Sequence, residues 1–437
     1  MRSLVVGAAK SGVAAANFLA GRGEEVILAD SKAAPRLPYE LDSGVEKAFG
    51  RDDLALLDRV DEIVISPGVP LGVPLLREAS LRMIPIVGEI ELAYRHLNGT
   101  VIAVTGSNGK STTTSLIGEI LRVAGREPIV AGNIGEPLIA SLDFERPRTY
   151  VLELSSFQLE AVDKFHADIA LLLNITPDHM DRYPTFDAYA AAKHRIFRHQ
   201  TASDHAIVNT NLSIATAAQV LRFSSTEHAD AYLDGDDLVL HDRRIPRASL
   251  KLQGTPNVEN ALAAWLAARV AGVDEVDTQI AFGTFAGLPH RMVLVRERDG
   301  VKWINDSKGT NVDATIAALQ SFPSSSVWLI LGGYDKHGEF ERMRDLVRDK
   351  TKGILTIGKA ADVIKEKLDG AAPITPLGDM EHAVKWASEN AKSGDLVLLS
   401  PACASFDQYR NFEHRGEHFE ELVHALPGNP ATQQPKP

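Results

Sequence analysis

The stretch from Val101 to Thr114, VIAVTGSNGKSTTT, constrains this chain more than any other. The β-branched residues Val101, Ile102, Val104 and Thr105 run into Gly106-Ser107-Asn108-Gly109, and Lys110-Ser111-Thr112 then opens a segment with helical spacing to Arg122. A strand that ends in a glycine loop and restarts as a helix has the geometry of a phosphate cradle. The glycines let backbone N–H groups turn toward an anion, and the helix N-terminus adds its positive dipole end. Lys110 can reach the outer phosphates, and Ser111 or Thr112 can ligate Mg²⁺. The spacing Gly106-x-x-Gly109-Lys110-Ser111 is two residues shorter than the usual P-loop. The competing reading is a tight turn that happens to hold a lysine; the order strand, Gly-Lys-Ser, helix favours the cradle.

A chain of 437 residues is long enough for about three domains of ordinary size. No run of 18 apolar residues occurs, and the opening MRSLVVGAAKSG feeds a glycine turn rather than a signal peptide. A soluble, cytoplasmic protein is therefore expected, with no membrane partner. A net charge of −12 without a Lys/Arg-rich run argues against nucleic acid or anionic membrane as the main partner, yet leaves room for a small anionic ligand. One cysteine, Cys403, excludes an intrachain disulfide and a Cys-based zinc site.

Residues 1–97 open with the strand Leu4–Val6, the turn Gly7-Ala8-Ala9-Lys10-Ser11-Gly12, a helix to about Ala20, and a strand Val26–Ala29 ending in Asp30. This is a Rossmann-like βαβ unit with an acid 23 positions after the first glycine. Ala9 stands where the middle glycine would let a pyrophosphate approach, which argues against bound NAD and for a related use of the fold. A further strand, Glu62–Ser66, ends in the rigid turn Ser66-Pro67-Gly68, at an edge where α/β domains place ligands. Asn98-Gly99 reads as the first domain boundary.

Residues 98–286 form a central P-loop-type ATPase domain around the glycine loop. Tyr150–Leu154 is a strand delivering Glu153, and Asp168–Asn174 one delivering Asn174 through Asp181, including His179. Near-continuous apolar runs such as ALLLN predict strands covered on both faces, hence a mainly parallel sheet. A carboxylate and an imidazole at such strand ends can hold Mg²⁺ or order its waters. A helix from Phe186 to Phe197 carries Lys193 among alanines; taken alone, that lysine reads as solvated or snorkelling. Gly254 to Asn260 caps an alanine-rich helix, Ala261–Ala271. Residues 287–437 alternate strand and helix again and predict a doubly wound, Rossmann-like sheet, with Asp306–Asn311, Gly332–Lys336 and Ser400–Gln408 at its strand ends. The last eleven residues, 427–437, have the composition of a disordered tail. The whole is an α/β chain of three domains.

TGSNGKST, LELSSFQLE, NITPDHMDRYP, AAKHRIF, His290-Arg291, NDSKGTN and SPACASFDQYRNFEHRG together resemble the Mur ligases of peptidoglycan synthesis. The ELSSFQL and SPACASFDQ forms are similar to the D-glutamate-adding branch. Other Mur ligases and folylpolyglutamate synthetase share the glycine loop and the lysine but not that last motif. The resemblance implies an ATP-dependent amide ligase, a monomer, that joins D-glutamate to UDP-N-acetylmuramoyl-L-alanine through an acyl phosphate. It implies that Gly106, Ser107, Asn108, Gly109, Lys110, Ser111 and Thr112 hold ATP phosphates. It places one Mg²⁺ on Ser111 and Glu153 and a second on His179 and a carbamylated Lys193. Adenine contacts fall on Asn260, Arg291 and Asp306. Contacts to the UDP-sugar fall on Ala9, Lys10, Ser11, Asp30, Ser31, Ser66, Pro67, Gly68 and Asn133. Those to D-glutamate fall on Thr310, Lys336, Ser405 and Phe412, with Lys308 near the transferred phosphate. Two departures from the family pattern stand out: Pro256 is found where His is usual, and Ala9-Lys10 alter the first glycine loop. No residue stands out as a general base. An NAD-linked dehydrogenase and a non-catalytic nucleotide-binding scaffold are the readings from other classes.

Overall fold

A computed structural model describes residues 1–50, 53–252 and 254–427. The tail expected over 427–437 lies, apart from Pro427, outside the described residues. The chain is α/β with three domains, each built on its own sheet. It packs as two compact units: Met1–Ile175 with Thr185–Phe285, and Thr176–Pro184 with the chain from Ala286 onward.

In the first unit, β1 (Arg2–Val6), β2 (Glu25–Asp30), β3 (Val45–Phe49), β4 (Glu62–Ile65) and β5 (Ile86–Gly88) form a parallel sheet in the order β3-β2-β1-β4-β5. The strand order reverses direction at β1, so the loops after β1 and β4 border the crevice where such sheets bind ligands. Helix α1 (Lys10–Gly21), rich in alanine, lies close on this sheet; α2 (Pro74–Leu81) and α3 (Glu89–Tyr94) follow β4 and β5.

The second sheet of this unit comprises β6 (Gly99–Thr105), β7 (Ile129–Gly132), β8 (Arg148–Glu153), β9 (Ile169–Leu172), β10 (His205–Asn209), β11 (Gln219–Ser224), β12 (Ala231–Asp234), β13 (Asp237–Leu240) and β14 (Arg243–Pro246). Its order is β14-β13-β12-β11-β10-β9-β6-β8-β7, parallel except for the β12-β13-β14 meander. Alternate residues of β6 enter different cores: Val101 and Ala103 on one face, Ile102 and Val104 on the other. That double burial is why the strand reads as a continuous apolar run. Among its helices are α4 (Lys110–Val123), α5 (Ser156–Glu160), α6 (Phe186–His194), α7 (Thr255–Val270) and α8 (Glu275–Thr284). Helix α7 is buried at every position from Asn260 to Ala268, where its apolar residues join the core that also holds α4 and the sheet. It begins at Thr255, six residues before the start read from the alanine run. Pro256 sits in its first turn, where the missing N–H removes no helical bond.

The second unit carries β15 (Val293–Arg298), β16 (Val301–Asn305), β17 (Val327–Gly332), β18 (Thr351–Ile357), β19 (Ile374–Gly378) and β20 (Leu396–Leu399), in the order β15-β16-β20-β17-β18-β19 with β15 antiparallel. Helices α9 (Val312–Gln320), α10 (Arg344–Lys350), α11 (Ala361–Lys367), α12 (Met380–Asn390) and α13 (Phe412–Ala425) cover it. Among the described residues no helix is long and apolar enough to cross a membrane.

Candidate active site

The loop between β6 and α4 is shaped by two glycines with positive φ, Gly106 and Gly109. Gly109, at φ +84°, ends the loop as the N-cap of α4 with no side chain capping the first turn. A Cβ there would also lie 2.3 Å from Asn260 Oδ1, so both the backbone conformation and the space demand glycine. The loop is braced from below by Asn174 at the end of the β9 segment. Its carbonyl accepts from Ser107 N (2.9 Å), its Oδ1 from Asn108 N (2.8 Å), and its Nδ2 donates to Asn108 O (3.0 Å). Asn174 was not singled out as a site residue in the sequence; its place directly after a buried strand, opposite the loop, was the available signal.

Two ammonium groups meet at this loop. Lys110 Nζ donates to the carbonyls of Gly106 and Ser107, each at 2.8 Å, and Lys193 Nζ donates to the same Gly106 carbonyl at 2.8 Å. Lys193 is 1% exposed, with its Nζ 4.6 Å from the Tyr189 ring centre. This overturns the reading of Lys193 as a solvated or snorkelling lysine. Helix α6 turns it inward, and Tyr189, one turn earlier, also hydrogen-bonds Ser107 Oγ at 3.0 Å. Ser111 and Thr112 are buried in the first turn of α4, and Thr113 Oγ1 donates to Asn260 Oδ1 at 3.2 Å.

Glu153, at the end of β8, is 2% exposed. Its Oε1 accepts from Asn133 Nδ2 at 2.7 Å, while its Oε2 is buried without a hydrogen-bond partner. A buried carboxylate oxygen left in that state costs free energy unless a cation or donor meets it, so the residue fits a metal ligand. Among the described residues no three His, Cys, Asp or Glu side chains form a metal cage. Mg²⁺ needs none, since it keeps waters and takes one or two carboxylates plus substrate phosphates.

At the edge of the first sheet, Asp30 accepts from Ala8 N (2.8 Å) and Lys32 N (2.9 Å), fixing the two strand-end loops, with Ser31 between. Ser66 Oγ donates to Gly7 O at 2.8 Å, and Val69 N closes the Ser66-Pro67-Gly68 turn on Ser66 O. Lys10 reaches across to Gly135 O (2.8 Å) and Glu136 Oε1 (2.9 Å), and Tyr39 OH bonds the other Glu136 oxygen. Ser11 lies half-buried in the first turn of α1.

In the second unit, Thr310 and Lys336 line one pocket together with Asp178, Asn311 and Asp335. Asp178 accepts from Lys336 Nζ at 2.6 Å, from Asn311 Nδ2 at 3.0 Å and from the amide of His179 at 2.8 Å. Burial alone would raise its pKa, but the Lys336 ammonium and His179 overcome that and hold the carboxyl below the ordinary range. His179 adopts φ +59°, a conformation uncommon outside glycine. Asp178 is a second residue the sequence reading passed over, although it directly precedes His179. Asp306 is fully buried and accepts from Ser400 Oγ at 2.8 Å; burial pushes its carboxyl up, against Arg291, whose guanidinium lies 3.4 Å away. Lys308 Nζ sits 4.5 Å from the centre of the Phe412 ring. Ser405 is buried and, with Phe412, stands outside the residues lining that pocket.

Three family models match in succession: the Mur ligase MurD-like N-terminal domain over residues 1–88, the Mur ligase middle domain over 104–268, and the Mur ligase glutamate ligase domain over 290–403. Curated proteins named UDP-N-acetylmuramoylalanine–D-glutamate ligase are similar along the full length. That of Koribacter versatilis is 44% identical, covering 97% of both chains, and that of Solibacter usitatus 44% identical, covering 98% of both. Among solved structures, the UDP-N-acetylmuramate-alanine ligase of Thermotoga maritima aligns with a TM-score of 0.63 at 17% identity, over 98% of this chain and 100% of that one. A pseudomurein peptide ligase type C from Methanothermus fervidus gives 0.63 at 18% identity with the same coverage. These two likenesses concern the fold.

Proposed function

Since the chain belongs to the Mur ligase family, we propose that it is an ATP-dependent ligase that joins D-glutamate to UDP-N-acetylmuramoyl-L-alanine, forming ADP and phosphate in the cytoplasm. The observation that carries this reading is the match over 97–98% of the chain to ligases of that name. In this reading residues 1–97 receive the UDP-sugar, 98–286 ATP, and 287–437 D-glutamate, and the protein acts as a monomer.

A carboxylate is a poor electrophile, so it must first take the γ-phosphoryl group of ATP; the amine of D-glutamate then displaces phosphate from the acyl phosphate. Two anions have to approach for the first step, and fixed positive charge offsets their repulsion. Lys110, now folded onto its own loop carbonyls, is placed to turn to the β- and γ-phosphates, while the amides of the Gly106–Thr112 loop and first turn seat them. Lys308, steadied over Phe412, supplies charge to the transferring phosphoryl group. Ser111 and Glu153 would hold one Mg²⁺, and His179 with a carbamate on Lys193 would serve a second. When bound, Mg²⁺ neutralises phosphate charge and orients the phosphoryl group. Once the Lys193 ammonium has lost its proton, the amine nitrogen would bond the carbon of CO₂ and release a second proton to solvent, turning a group that cannot ligate a cation into an anionic oxygen donor. Asn260, Arg291 and Asp306 take the adenine end. Ser11, Asp30, Ser31, Ser66, Pro67, Gly68 and Asn133 take the UDP-sugar, and Thr310, Lys336, Ser405 and Phe412 the amino acid.

The test is phosphate release with ATP, Mg²⁺ and UDP-N-acetylmuramoyl-L-alanine against a panel of D- and L-amino acids. D-Glutamate alone is expected to respond. Response to another amino acid would transfer the chain to a different branch of the family, and no release with any would favour a nucleotide-binding scaffold.

A further inference from the structure

Arg415 is the largest charged side chain that the fold buries completely, at 1% exposure. Burial lowers its pKa to about 10, which still leaves it a cation at neutral pH. Its hydrogen bonds run to uncharged acceptors on two separate loops. Nε donates to Ser307 Oγ (3.0 Å) and Nη2 to Ser307 O (2.9 Å), on the loop that follows β16. Nη1 donates to Cys403 O (3.1 Å) and Ala404 O (3.3 Å), on the loop that follows β20. Ser307 Oγ passes the link on, donating to Phe412 O at 2.8 Å at the start of α13.

These are the loops on which the proposed reaction depends: Lys308 and Thr310 follow Ser307, Ser405 follows Ala404, and Phe412 begins the helix that carries Arg415. We propose that Arg415 is the positioning residue of the amino-acid subsite, a planar fork that fixes the two strand-end loops and the α13 start in one arrangement. The inference rests on the D-glutamate reading given above. The guanidinium does not itself meet the substrate, because each of its three nitrogens is bonded to the loops and it is shut from solvent. Its effect is transmitted through the peptide planes. A trans peptide points its C=O and the following N–H to opposite sides, so drawing the Ala404 carbonyl inward turns the Ser405 amide outward. Little slack exists to undo this. Ala404 O also accepts from Tyr334 N at 2.8 Å, and a Cβ on Gly333 would lie 2.3 Å from that oxygen and 3.1 Å from Arg415 Nη1.

Lysine cannot replace this fork, since one ammonium point cannot span acceptors on two loops in a plane. The experiment titrates D-glutamate, ATP and UDP-N-acetylmuramoyl-L-alanine separately in the phosphate-release assay, for wild type, Arg415→Lys and Ser307→Ala. Arg415→Lys is expected to raise the D-glutamate KM about tenfold or more while the other two KM values stay within about twofold. Ser307→Ala, which removes one strand of the link and keeps the cation, is expected to raise the same KM about threefold. A purely structural role would lower the thermal midpoint and the amount of active enzyme without separating the substrates. Equal changes in all three KM values, or none, overturn the proposal. If Arg415→Lys shows no cooperative unfolding transition, Ser307→Ala decides, and an unchanged D-glutamate KM in it overturns the proposal. Wild-type enzyme that ignores D-glutamate would instead overturn the functional reading, and this inference with it.

Discussion

Replacing Asp178 by asparagine keeps the side-chain shape and removes one charge from a nearly buried pair. The Asp178 side chain is 8% exposed and that of Lys336 13%, with 2.6 Å between their charged atoms. Deleting one partner of such a pair leaves the other charge buried without compensation, a loss of about 3–5 kcal/mol. The lower end applies here, because Lys336 keeps an edge to the pocket and the amide oxygen of the introduced asparagine would still accept from His179 N. For a domain of this size, about 3 kcal/mol corresponds to a fall in Tm of roughly 6–12 °C. The pH dependence has a definite sign. A carboxyl held below its unfolded pKa contributes stability that is present above that unfolded value, about 3.9, and lost as pH falls through the folded one. The gap between wild type and Asp178→Asn is therefore expected to be constant from about pH 5 to 8 and to shrink below about pH 4. Thermal unfolding followed by near-UV circular dichroism across that range measures it. A Tm within about 2 °C of wild type at pH 7 would refute the claim that this pair is energetically coupled, since even 1 kcal/mol should move it that far.

The cradle was legible because its signals are local and concordant: β-branched strand, glycines where φ is positive, and a helix whose first residue is the lysine. The parallel sheets were legible for the same reason, through runs such as ALLL that need apolar cover on both faces. Where the reading fell short, the information lay between segments. Lys193 looked like a surface lysine because its alanine neighbours carry no sign of the Gly106 carbonyl that meets it from the loop after β6. Asp178 and Arg415 bond residues far along the chain, Lys336 for one and Ser307 for the other, and no periodicity encodes those meetings. The β12-β13-β14 meander was missed although Asp234-Gly235 is an ordinary hairpin signal. Its strands are four residues each, too short for alternation to stand out.

Lys110→Ala is expected to abolish turnover with the fold intact, since loss of one electrostatic clamp of about 2.7–4 kcal/mol costs roughly a hundredfold or more in rate; retention of about a tenth of the activity, with unchanged circular dichroism, would contradict it. Lys336→Ala and Ser405→Ala should each raise the D-glutamate KM more than the ATP KM, and parallel changes would remove both from the amino-acid site. Glu89 on α3 is buried, accepts from Ile139 N at 2.6 Å, and has its pKa pushed up to about 7 by that burial. Its neutral form is favoured in the folded state, so stability should fall as pH rises from about 4.5 to about 7, by about 3 kcal/mol from this group; Glu89→Gln should flatten that slope, and identical pH profiles for the two proteins would show the group titrates normally. Lys193 is the sharpest case, because its Nζ shares the Gly106 carbonyl with Lys110 and two ammonium groups there repel. A carbamate on Lys193 would remove the repulsion and would offer oxygens to a metal, whereas the guanidinium of Lys193→Arg keeps the positive charge and cannot take up CO₂. Lys193→Ala is therefore expected to be nearly inactive and partly restored by added acetate or formate, Lys193→Arg inactive and not restored, and the mass of the intact wild-type protein under bicarbonate to rise by one CO₂. A Lys193→Arg enzyme working at the wild-type rate would end the carbamate assignment, because no anionic ligand could then be present at that position.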